Sequence, residues 1–100
     1  MNPIEKLLKD YLDYLEIEKN RSPKTRENYG RYLKAFIDYS KIKEPEDITA
    51  QSIKNFRVNL ARGDKKLKKI TQTYYVIAIR NFLKYLTKQD YDVLSSDKIE

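Results

Sequence analysis

The stretch Ser22-Pro23-Lys24-Thr25-Arg26-Glu27-Asn28-Tyr29-Gly30-Arg31-Tyr32-Leu33-Lys34-Ala35-Phe36-Ile37 decides the fold class. Ser22 before Pro23 is a helix start. A serine hydroxyl accepts from an early backbone N–H, and proline's fixed φ and missing N–H suit the first turn. Tyr29, Tyr32, Leu33, Phe36 and Ile37 then recur at intervals of three and four, which sets them on one face of a helix. That helix is expected to run to about Ser40.

The pattern repeats on both sides. Upstream, Asn2-Pro3-Ile4-Glu5 combines an N-cap, a first-turn proline and a glutamate placed for a capping box. Ile4, Leu7, Leu8, Tyr11, Leu12 and Leu15 form its buried stripe, which fades near Lys19-Asn20. Downstream, Pro45 marks a connection, because it lacks the N–H a helix interior needs. Thr49 is expected to cap a third helix, with Ile48 and Ile53 as a hydrophobic staple and Ile53, Phe56 and Leu60 facing inward. Gly63 follows its last turn, where a left-handed residue is favoured. Residues 63–69 read as a basic loop. Thr71 is expected to cap a fourth helix, stapled by Ile70 and Tyr75, with Tyr75, Val76, Ile79, Phe82, Leu83 and Leu86 as its stripe. Four helices with short connections predict an all-α class, a compact bundle occupying residues 1–90. The polar, acidic residues 91–100 are expected to be a linker.

Composition narrows the chemistry. The chain has 100 residues and neither Cys nor His. Disulfides, thiolate metal sites, thiol nucleophiles and imidazole acid/base groups are therefore excluded. No metal site and no cofactor is expected, and an enzyme is the least favoured reading of this chain. The 9 tyrosines are expected mostly to pack, since a phenol with a pKa near 10 needs activating partners to attack phosphorus. Acid pairs such as Asp10/Asp13 and Glu16/Glu18 read as solvated helix charge. No apolar run approaches the roughly 18 residues of a membrane span, and no signal-peptide core opens the chain. A cytoplasmic protein without a membrane partner is expected.

The net charge of +6 is unevenly distributed. Residues 19–34 carry +5 and residues 65–88 carry +7, whereas residues 1–18 and 89–100 carry −3 each. Both basic segments surround a helix start, where unpaired N–H groups and the dipole favour anions. Ser22 and Thr71 add hydroxyls there, and Lys24, Arg26, Lys68 and Lys69 add full charges. This combination suits backbone phosphates and points towards nucleic acid.

The spacing Ser22-x-x-Thr25-x-x-x-Tyr29-x-x-x-Leu33-x-x-Phe36 resembles the opening motif of the N-terminal core-binding domain of tyrosine recombinases of the phage-integrase and Xer type. Thr71 with Val76-x-Ala78-Ile79-Arg80-x-Phe82 and Leu86 resembles that domain's second motif, and Ile48-Thr49 its intervening helix start. The resemblance covers roughly residues 4–90. It implies a SAM-like four-helix domain forming half of a C-shaped clamp on double-stranded DNA. The second and fourth helices would approach the major groove near their N-terminal ends.

Carried onto this chain, the resemblance makes Ser22 and Thr25 phosphate-contacting hydroxyls, with Lys24, Asn28 and Arg31 beside them. Thr71 matches the corresponding hydroxyl of the fourth helix, near Lys68, Lys69, Gln72 and Tyr74, and Arg80 matches a basic family position. Asn28, Gln72 and Tyr74 are the expected readers of base edges; the others position the duplex. In such recombinases the nucleophilic tyrosine and its partners belong to a C-terminal catalytic domain. The resemblance therefore implies a non-catalytic domain whose partners are DNA, a catalytic domain in the same full-length protein, and neighbouring protomers on DNA. The alternative reading is a helical protein–protein interaction module using the acidic first helix.

Overall fold

The computed structural model describes residues 2–63 and 67–99. Four α-helices follow one another: α1 (Pro3–Ile17), α2 (Pro23–Ser40), α3 (Ala50–Arg62) and α4 (Lys69–Lys88). Single 3-10 turns at Pro45–Asp47 and Ser96–Lys98 complete the described residues, which contain no strand. The all-α four-helix class read from the sequence is the class observed.

Three helix starts carry the N-caps read from the sequence, although the Glu5 side chain closes no capping box with Asn2. Asn2 Oδ1 accepts from Glu5 N at 3.1 Å, and Ser22 Oγ accepts from Thr25 N at 3.1 Å. Thr49 and Ser52 form a reciprocal box, each side chain accepting from the other's backbone N–H at 3.0 Å. The fourth start differs. The helix begins at Lys69 with Lys68 in the cap position, and Lys68 makes no side-chain capping bond. Thr71 thus lies inside the first turn rather than at the cap. Ile70 is 56% exposed and staples nothing. Leu67, just before the cap, packs on the core instead. Gln72 Nε2 donates to the Leu67 carbonyl at 2.8 Å and ties that entry to the helix.

Helix ends also depart from expectation. Neither glycine has a positive φ; among the described residues the left-handed ones are Asn20, Lys41 and Asp90. Each follows a helix and turns the chain so that the next N–H reaches back. Arg21 N donates to Leu15 O at 2.9 Å, Ile42 N to Ile37 O at 3.0 Å, and Tyr91 N to Leu86 O at 3.0 Å. The last two, each spanning five positions, are Schellman-type ends, and the Arg21 bond spans one residue more. Gly63, expected in the left-handed region, is extended (φ −72°, ψ −176°). It is required for space, because a Cβ there would sit 2.5 Å from the Asn59 carbonyl oxygen.

The core is built around α4, which buries Val76, Ala78, Ile79, Phe82, Leu83, Tyr85 and Leu86. Tyr11 of α1 meets Phe82 and Tyr85 with ring centroids 5.3 and 5.2 Å apart. Phe36 of α2 meets Phe56 of α3 edge-on at 5.3 Å. Between α1 and α2, Gly30 faces the Leu12 side chain, whose Cδ1 would lie 3.2 Å from a Cβ at that position. Residues 91–99, expected as the start of a linker, lie against this scaffold: Val93 and Leu94 are half-buried on the core and Ile99 is 7% exposed. Three apolar side chains within an acidic run account for that docking. A Cα radius of gyration of 12.9 Å matches a compact globule, for which about 13 Å is usual at this length. Among the described residues, no helix is long and apolar enough to cross a membrane.

Candidate nucleic-acid interface

The start of α2 offers few backbone donors. Pro23 has no N–H, and the Thr25 N–H is held by Ser22 Oγ. The Ser22 and Thr25 hydroxyls also lie 3.1 Å apart. An anion here would depend on the exposed Lys24, the Lys24 N–H and the half-buried Thr25 hydroxyl. Arg26 does not contribute its charge to this start, contrary to the sequence expectation. Its Nη1 reaches back to α1, donating to Asp13 Oδ1 at 2.7 Å and to Glu16 Oε1 at 2.8 Å. The Arg26 bond, aided by Lys9, holds the Asp13 carboxyl below the usual aspartate range.

The start of α4 presents Lys68 and Lys69, both exposed, and a first turn without a side-chain cap from Lys68. First-turn N–H groups have no intrahelical acceptor, so this end is the better backbone anion site of the two.

Between these helices the side chains form a connected surface. Thr25, Asn28, Tyr29 and Tyr32 of α2 face Tyr74 and Ile77 of α4 across a shallow groove. Asn81 Nδ2 of α4 and the Tyr29 hydroxyl lie 3.4 Å apart. The Tyr32 and Tyr75 rings meet at 4.6 Å. Ile77 also lines a second hollow, between α3 and α4, that contains Lys69, Gln72, Arg80 and Arg57. The Arg80 Nε is buried without a hydrogen-bond partner. Thr25 and Tyr29 in turn belong to a third hollow, with Lys19, Arg21, Lys84 and Lys88 around it. The three hollows share residues and so form one tract along α4, a helix about 30 Å long at 1.5 Å per residue. Seven cationic residues and no acidic one line it.

The structure thus brings Thr25, Asn28 and Tyr74 together in one groove, and Lys69, Gln72 and Arg80 together in the adjoining hollow. Ser22, Lys24, Arg31, Lys68 and Thr71 line none of the three hollows. Arg31 is exposed, its guanidinium 5.2 Å from the centroid of the Tyr32 ring. Gln72 spends its Nε2 on Leu67, which leaves less of its amide for a base edge. Arg57, Lys19, Arg21, Lys84 and Lys88 escaped the sequence reading. Arg80, Lys84 and Lys88 recur at four-residue intervals, a periodicity that puts them on one face of α4. Lys19, Arg21 and Arg57 reach the tract only through tertiary packing and left no comparable signal.

Residues 8–90 match the family model "Phage integrase, N-terminal SAM-like domain". The chain belongs to that family. It is 27% identical over 92 residues to a protein of Oceanobacillus iheyensis described as tyrosine recombinase XerC, an alignment covering 91% of this chain. The chain spans about 30% of the length of that curated relative. No solved structure matches.

Proposed function

We propose that this domain holds double-stranded DNA for a tyrosine recombinase, with α2 and α4 against the duplex. One observation carries the reading: the connected tract along α4 collects cations, a threonine hydroxyl, an asparagine amide and a tyrosine, with no carboxylate among its lining residues. Cations bind phosphates through counterion release, and short polar side chains between them reach groove edges. Lys24, Lys68, Lys69 and Arg80 position the backbone in this account, together with Ser22, Thr25, Thr71 and Arg31. Asn28, Gln72 and Tyr74 supply base contacts.

Membership of the family supports a larger parent in which a separate catalytic domain carries out strand exchange. On this reading residues 1–90 are the DNA-holding unit and residues 91–100 lead towards that catalytic domain. Neighbouring protomers on DNA are further partners. The interaction-module alternative is weakened by what the acidic helix already does. Asp10 pairs with Lys6 at 3.0 Å, and Asp13 and Glu16 are taken by Arg26.

Duplex affinity measured against salt tests the assignment. Lys69→Ala is expected to weaken all sequences alike and to reduce the slope of log K against log salt by about 1. An unchanged slope removes Lys69 from the phosphate contacts. Asn28→Ala is expected to cost about 1–3 kcal/mol on the preferred sequence and little on random DNA. Equal losses on both would make Asn28 a positioning residue.

A further inference from the structure

The hollow where the end of α1, the start of α2 and the second half of α4 meet encloses ≈ 220 Å³. Arg21, Lys84 and Lys88 line it, and none of them has a carboxylate within ion-pair distance among the described residues. Lys19 joins them, its ammonium 5.8 Å from the centroid of the Tyr14 ring. At the inner wall lies Tyr11, only 1% exposed, whose hydroxyl has no hydrogen-bond partner. A buried hydroxyl without a protein partner is costly, so it is a donor that favours an acceptor in the hollow. Burial, followed by the nearby Tyr29 and Tyr14 phenols, pushes Tyr11 far above the usual tyrosine range despite the opposing Arg21 charge. The phenol therefore keeps its proton and stays a donor.

Four cations, a threonine hydroxyl and a protonated phenol around one small hollow are all suited to hydrogen-bond acceptors carrying negative charge. Asp10 and Glu18 are close enough to act on the Tyr85 phenol, but neither lines the hollow.

We infer that this hollow is a phosphate-binding site, with Arg21, Lys84 and Lys88 neutralising the charge and the Tyr11 hydroxyl donating from within. The phosphate is either a phosphodiester of bound DNA, which rests on the function proposed above, or a free phosphate group. The two sources share one chemistry at the site. A DNA phosphate here would be a specific backbone contact at the far end of the α4 tract, away from the two helix starts.

Amide chemical shifts of the 100-residue chain, titrated separately with inorganic phosphate and with a short duplex at low salt, test the inference. The expected result is saturable shifts at residues 11, 21, 84 and 88 with at least one probe. Movement with the duplex alone assigns the site to DNA; movement with phosphate alone assigns it to a free ligand. Lys84→Gln is expected to weaken the active probe at least about fivefold, the scale of losing one charge-assisted contact. Tyr11→Phe is expected to weaken it as well without lowering the unfolding midpoint, which separates a ligand contact from a packing role. If neither probe moves these residues while the duplex shifts residues 25, 28, 69 and 72, the phosphate site is overturned and the DNA reading stands only for the part of the tract nearer the two helix starts. If phosphate moves them and the duplex moves nothing, the site stands and the DNA reading falls.

Discussion

Two glycines show how much a single Cβ decides. At Gly30 the neighbour is the end of the flexible, half-buried Leu12 side chain, 3.2 Å from where a Cβ would be. Gly30→Ala should gain helix propensity worth about 1 kcal/mol and lose part of it to that contact, a net stabilisation of about 0.5 kcal/mol. At Gly63 the neighbour is the Asn59 carbonyl oxygen at 2.5 Å, held in place because Gly63 N donates to it at 2.7 Å. Gly63→Ala should therefore destabilise, by about 1–3 kcal/mol. Urea unfolding of both variants checks the opposite signs. The position of Gly63 after a helix suggests a left-handed turn, whereas its actual constraint is a carbonyl from the preceding turn. That constraint depends on three-dimensional placement and leaves no mark on residue type alone. Arg26 teaches the same lesson for charge: it sits in a basic segment, yet it is neutralised by carboxylates of α1 that lie 13 and 10 positions earlier in the chain.

At the scale of elements, apolar periodicity predicted all four helices, because burial of one face dominates their stability. It erred at boundaries, where local hydrogen bonds decide. Thr71 looks like a cap, but Gln72 bonding to the Leu67 carbonyl draws the helix start back to Lys69. Lys41, Asn20 and Asp90 end helices in a conformation that sequence would assign to glycine. The packing of α1 on α2 also carries a pH dependence. Arg26 holds Asp13 below its ordinary value of 3.8, and the Lys43 and Glu44 amides do the same for Asp47 in the loop before α3. A carboxylate whose folded pKa is depressed stabilises the fold above its unfolded pKa. That contribution is lost as pH falls through the folded value. Stability should thus decline on acidification below about pH 4. In Arg26→Gln the Asp13 carboxyl should titrate closer to its ordinary value, as carboxyl-carbon NMR would detect. An unchanged Asp13 titration would remove Arg26 as the cause.

For the whole molecule, the family was legible in the motif spacing, since the chain belongs to the phage-integrase N-terminal SAM-like domains, and the concentration of charge at two helix starts is what points the proposal towards nucleic acid. The surface itself was only partly legible. The helix starts contribute Thr25 and Lys69 to the tract, but much of its charge comes from Arg57, Arg80, Lys84 and Lys88 along the bundle. Tertiary packing turns these scattered cations into one surface, while Lys6, Lys9 and Arg26 pair with Asp10, Asp13 and Glu16 of α1. The central claim is that this surface, running the length of α4 and bordered by the first half of α2, is where DNA lies. Amide shift mapping with a duplex at low salt tests it most directly. The account expects salt-sensitive shifts concentrated at residues 22–28 and 68–88. Absence of binding, or shifts confined to the outer faces of α1 and α3, would contradict it.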